Sequence, residues 1–160
     1  MARSIAWIVR SVAVAVGAWL IYWVCVLPFR CNREILSTRV SILNQPATDQ
    51  FRAVKIADQN LRRLNEACRG CAPNVTFLLL LADNDELAGR TESVIRDLDR
   101  AIAVQPRPEI FQDRGNSKLE MGRLGDAIAD FKIAARFDPG YVDSIDPTLR
   151  TRVLAEIDHR

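Results

Sequence analysis

The residue types able to do redox, metal or nucleophilic chemistry are few in this chain of 160 residues, which has four cysteines and one histidine. Two cysteines stand as Cys68-Arg69-Gly70-Cys71, the C-x-x-C spacing that thiol oxidoreductases use. Such pairs open a helix, where free N–H groups and the helix dipole stabilise a thiolate. Here apolar residues recur at helical spacing from Phe51 through Val54, Ala57, Leu61 and Leu64 to Cys68. The pair therefore closes a helix and lies at the pole that disfavours a thiolate. Two readings stay open for it, a Cys68–Cys71 disulfide or two free thiols, while Cys31 stays free or pairs with another chain. Zinc needs four ligands, yet Cys25 sits in an apolar run and His159 at the far end. Asp83, Asp85 and Glu86 form an acidic cluster without the loop that calcium sites use, and read as a solvated helix face. No catalytic residue, metal site or cofactor is expected. The chain reads as a non-enzyme, with a membrane-tethered thiol oxidoreductase acting through Cys68 and Cys71 as the alternative.

The elements that carry these residues begin with an anchor. From Ser11 to Leu27 there is no charged residue, and a helix of that length reaches about 25 Å, close to the thickness of a hydrocarbon core. Ile5 to Val9 extend it if Arg10 snorkels, and Trp7, Trp19, Tyr22 and Trp23 suit the two interfaces. A cleaved signal peptide would need small residues near the end of the run, where Val24, Val26, Leu27 and Phe29 are bulky. The division expected is a basic tail over 1–9, a transmembrane helix over 10–28, a linker over 29–47 and a helical domain over 48–160. Basic residues flank both ends of the span nearly equally. A short basic tail before one early span favours the inside, which sends the domain across the membrane. The length suits one domain plus such an appendage. Net charge is +2 with both signs interleaved, so no nucleic-acid partner is expected.

The domain is organised around Pro108 to Tyr141. Within it Phe111, Gly115, Gly122, Ala127, Phe131, Ala134 and Pro139 run large, small, turn, small, large, small, stop, which describes two antiparallel helices. Gly115 and Ala127 let the backbones approach, Phe111 and Phe131 fill the contact, Gly122 and Gly125 permit the reversal, and Pro139 ends the second helix. Shifted back by 33 residues, the same size classes recur at Leu78, Ala82, Gly89, Val94, Leu98, Ala101 and Pro106. A further shift matches only the second helix, at Leu61, Cys68 and Pro73. Upstream, the Phe51 to Cys68 face is apolar and its opposite, Lys55, Asp58, Asn60, Arg62 and Arg63, polar. Asn74 caps the first helix of the earlier copy, and Asp146-Pro147 starts a final helix whose apolar face is Leu149, Val153, Leu154 and Ile157.

At these residues the chain resembles a tetratricopeptide repeat protein, departing at Arg114 and Lys118, where the family usually has Leu and Tyr. The resemblance implies an all-α fold: a short solenoid of about two full repeats, a degenerate N-terminal half-repeat and a C-terminal capping helix. It implies a protein-interaction module that holds a partner peptide or helix in its concave face. In that geometry the first helix of each repeat lines the groove with Thr76, Leu79, Asp83 and Glu86, then Glu109, Gln112, Asn116 and Leu119. Their acidic members bias the groove toward a basic partner. Family members that clamp a C-terminal carboxylate use Lys and Asn; Asn116 matches but Gln112 replaces the lysine, so that function is not carried over. The layout also looks like small bacterial envelope proteins of this repeat type, implying a single-pass inner-membrane scaffold with a periplasmic domain. A structural self-association unit, the groove filled by a second copy, is the other alternative.

Overall fold

The computed structural model describes residues 12, 14–44, 50–69 and 74–158. The expectations for the basic tail, Trp7, Arg10 and Cys71 lie outside them. Among the described residues the regular structure is entirely helical: α1 (Leu27–Leu43), α2 (Gln50–Ala67), α3 (Val75–Leu87), α4 (Thr91–Val104), α5 (Pro108–Glu120), α6 (Leu124–Phe137) and α7 (Pro147–Asp158). A 3-10 turn, Pro139–Ser144, joins the last two. Consecutive helices from α1 to α7 pack against one another, and α1 also packs on α3.

One helix, Val14–Ile42, is long and apolar enough to cross a membrane. Its first half leaves Val14, Val16, Trp19, Ile21 and Val24 exposed, the pattern of a helix that lipid covers. The helix does not stop at Pro28, and the first part of the stretch assigned to the linker over 29–47 is helical as far as Leu43. A proline inside a helix clashes with the carbonyl four residues back. Here Tyr22–Val26 is a π-turn, and Leu27 N–H donates to Tyr22 O. The wider turn makes room for the ring, so the helix continues into α1.

The face of α1 formed by Cys31, Ile35 and Thr38 is buried, while Phe29 and Leu36 on its other side are 68% and 64% exposed. Cys31 is disulfide-bonded to Cys68, 37 residues on, with Cα atoms 4.8 Å apart. This corrects both cysteine expectations: the partner of Cys68 is Cys31, not Cys71, and Cys31 is not free. The two belong to one core cluster with Leu64, Leu78 and Leu81, so packing of α1 brings the sulfurs together. A loop of this size restricts the unfolded chain by about 3–4 kcal/mol. On α2, Ala57 and Leu64 are fully buried, but Phe51 is 82% exposed and Asn60 only 3%. Asn60 falls between Ala57 and Leu64 on the buried stripe, which corrects its assignment to the wet face.

The two expected hairpins repeat residue for residue. α3 and α5 have 13 residues each, α4 and α6 have 14 each, and each pair starts 33 residues apart. Gly89 and Gly122 reverse the chain at φ 70° and 72°, a conformation that side-chain-bearing residues avoid. Gly125 is not part of the reversal; it lies in α6. Asn74 Oδ1 accepts from Phe77 N–H at 2.8 Å, and Asp146 Oδ1 from Thr148 N–H at 2.8 Å, as both caps require. In α7, Leu149 and Val153 join a second core cluster with Ala127, Ile128, Phe131 and Ile145. Leu154 departs from the expected face and is exposed.

Arg114 and Lys118 are absorbed by one partner. Asp130, on α6, is 2% exposed; Arg114 donates to both its oxygens, at 2.9 and 2.5 Å. Lys118 Nζ donates to its Oδ2 at 2.7 Å. Arg114 also pairs with Asp99 on α4 and lies over the Phe111 ring. Where an apolar pair would fill the hairpin, this chain uses a buried charge cluster.

Candidate functional site

The first helices of the two hairpins, α3 and α5, border a groove made of two adjoining depressions that share Asp83 and Asp113. One, of about 150 Å³, is lined by Ala82, Asp83, Glu86, Val94, Leu98, Asp113, Asn116, Ser117 and Glu120. The other, of about 310 Å³, is lined by Thr76, Leu79, Leu80, Asp83, Arg107 and Asp113, with Ile35 and Arg39 of α1 at its end. The floor of the groove is formed by Leu79, Leu80, Ala82, Val94 and Leu98, and the surrounding lining is polar, rich in carboxylates, with Arg39 and Arg107 at the α1 end.

All four residues expected from α3, Thr76, Leu79, Asp83 and Glu86, line this groove, while from α5 only Asn116 does. Glu109, Gln112 and Leu119 are not among the lining residues. Leu119 instead packs on the second core cluster, and Glu109 lies 3.8 Å from Arg107. The reason is geometric. The groove lies between α3 and α5, so α5 contributes the flank that faces α3, which is Asp113, Asn116, Ser117 and Glu120. The repeat register could not indicate this flank, because Asp113 and Glu120 correspond to Leu80 and Leu87 of the earlier copy. A usable signal was the stripe Glu109, Asp113, Asn116, Glu120, spaced four, three and four residues apart on one helix face.

Burial raises the proton affinity of these carboxylates, and mutual repulsion adds to it at Asp113 and Glu86. Burial pushes Asp113 from an ordinary 3.8 up to about 6, helped by the negative charges of Asp83, Glu86 and Glu109. Burial likewise raises Asp83, with Arg39 opposing it. Glu86 is raised by burial and by Asp83 and Glu120. The folded state therefore holds protons more tightly than the unfolded chain, so this cluster's contribution to stability falls as pH rises between the two pKa values. The melting temperature is expected to rise when pH is lowered from about 7.5 to about 5. Asp113→Asn should remove most of that slope and raise the melt at the higher pH. Thermal melts of the full chain in detergent at the two pH values check this; an unchanged slope in the variant would place the titration elsewhere.

Among the described residues no group of His, Cys, Asp and Glu could hold a metal ion. Cys68 is engaged with Cys31, which removes it from a C-x-x-C dithiol. No protein-family model, curated protein or solved structure matches the chain.

Proposed function

We propose that this protein is a membrane-anchored interaction module of the tetratricopeptide type, and not an enzyme, that holds a basic peptide or helix of a protein partner in the α3/α5 groove. The observation that carries the reading is the concentration of carboxylates along that groove. Asp83, Glu86, Asp113 and Glu120 stand around one depression, and burial, together with the charges of Asp83, Glu86 and Glu109, raises the proton affinity of Asp113. Lys or Arg side chains from a partner would relieve that repulsion, while Leu79 and the apolar floor take its hydrophobic positions. The two hairpins repeating at 33 residues, with turn and cap geometry in common, support the tetratricopeptide reading. The Cys31–Cys68 disulfide supports placing the domain in an oxidising compartment, as in a single-pass inner-membrane protein with a periplasmic domain.

A photo-crosslinking residue at Asn116, used in native membranes, tests the surface. The expected result is one polypeptide crosslinked through a segment of net positive charge. Asp83→Lys with Asp113→Lys should lower the yield at least about tenfold, and Arg136→Glu on α6 should leave it unchanged. Capture that survives the groove changes but is lost with Arg136→Glu would put the binding surface on the outer face.

A further inference from the structure

The groove already has a tenant at one end. Ile35 of α1 is 7% exposed and belongs to the core cluster with Leu78 and Leu80. One turn further on, Arg39 joins Ile35 in the lining beside Leu79 and Asp83. Arg39 is close enough to Asp83 for its charge to favour the carboxylate. An aliphatic residue on the floor and a guanidinium toward the acidic rim, four positions apart, is the pattern a basic amphipathic helix would present.

What holds this helix is narrow. Among its described side chains, Cys31, Ile35 and Thr38 are buried apart from Leu27, Ile42 packs partly buried against the same core cluster, and Phe29, Leu36 and Val40 are left exposed. Beyond the chain connection itself, the Cys31–Cys68 bond ties it covalently to the end of α2. A tethered segment competes with a free one at an effective concentration that reaches millimolar for short connections. Fixing it covalently removes even the brief departures that would admit a competitor.

We propose that α1 is a built-in occupant of the α3 end of the groove, latched there by the Cys31–Cys68 disulfide, and that reduction of this bond opens the groove to a basic amphipathic helix. This rests on the groove being the binding surface. The step needs a dithiol reductant. Its two thiols become a disulfide, the Cys31–Cys68 bond accepts the two electrons, and each cysteine leaves with one proton as a free thiol. In the oxidised protein Leu79 and Asp83 remain open to a partner, but α1 walls the groove there with Ile35 and Arg39, so a helix lying along it has room only toward Glu86, Asn116 and Glu120. In the reduced protein the surface around Leu80 that packs with Ile35 becomes available as well.

The test uses the full chain in detergent, oxidised or treated with dithiothreitol, with Cys31→Ser as an unlatched form and Cys25→Ser as a latched control. The probe is a fluorescein-labelled helical peptide of leucine and lysine, read by anisotropy, with amide hydrogen exchange of α1 and α3 in parallel. The expected result is at least about tenfold tighter peptide binding after reduction or in Cys31→Ser, with faster exchange in α1 and no change in Cys25→Ser. Faster α1 exchange with equal peptide affinity in both states would show that α1 is not an occupant, leaving the groove reading intact. Unchanged α1 exchange on reduction would show that the disulfide is no latch. Absence of peptide binding in either state, with α1 released, would overturn the groove reading and this proposal with it. Peptide mapping that links Cys68 to Cys71 in the oxidised protein would overturn the latch directly.

Discussion

Replacing Asp130 by alanine is expected to cost about 3 kcal/mol of stability, and to lower the melting temperature by roughly 10 °C. The side chain is buried between Arg114 and Lys118, whose own side chains are 16% and 12% exposed. Removing the carboxylate leaves two cations facing each other in the seam between α5 and α6. Arg114 keeps its contacts to Asp99 and the Phe111 ring, so the cost falls toward the lower end of what an orphaned buried charge imposes. The seam need not be ionic, however. A buried cluster costs desolvation for every charge in it, and replacing all members by apolar residues of similar volume is often neutral. Arg114→Leu, Lys118→Tyr and Asp130→Leu together are therefore expected within about 1 kcal/mol of the parent. Circular dichroism melts of the full chain in detergent separate the two. An Asp130→Ala protein that melts with the parent would show that the cluster contributes nothing. A triple variant as unstable as the single one would show that these positions need the charges.

That cluster marks the boundary of what the residues disclose on a linear reading. Arg114 and Lys118 stand out at once as polar residues in positions where a packed hairpin wants Leu and Tyr, but their partner lies 16 and 12 residues away on the next helix. Charge at such a separation has no periodic signature. Helix existence and turn placement were legible because they follow from local rules: period, caps, and glycines at the two reversals. The groove was half legible. α3 presents the stripe that repeat register assigns, whereas α5 turns a different flank to its neighbour, with Leu119 drawn into the core by Ile145 and Val153 beyond it. Which flank faces a neighbour depends on helix–helix packing, not on the spacing within one helix. The cysteines show the same limit. The short C-x-x-C spacing suggests a local pair, while the bond formed joins α1 to the end of α2 because both face one core. The π-turn before Pro28 has no signature in the spacing of the residues either; it supplies the room that lets the helix continue past the ring.

Gly115→Ala should destabilise by about 2–3 kcal/mol, although alanine favours a helix over glycine by about 1 kcal/mol. A Cβ at this position would lie 2.6 Å from Phe131 Cε1 and 3.0 Å from Cδ1 and Cζ. Phe131 is 1% exposed and held by Ala127, Ile128, Ile145 and Val153, so its ring cannot withdraw without disturbing the second core. Gly125→Ala gives the opposite sign. This glycine is in α6, nothing lies within 4 Å of its added Cβ, and the change should stabilise by about 0.5–1 kcal/mol through helix propensity alone. The earlier hairpin supplies the remedy for the clash. The residues corresponding to Gly115 and Phe131 are Ala82 and Leu98, and both are buried there at 3% and 2% exposure. A small residue with one more carbon is thus matched to a smaller partner across the same seam. Gly115→Ala combined with Phe131→Leu should recover most of the loss, since volume-conserving exchanges usually cost less than about 1.5 kcal/mol. Comparing the melts of the two single variants and the double variant gives the coupling between the sites. Additive losses, with the double variant worse than either single one, would mean that the two hairpins pack by different rules despite their common backbone.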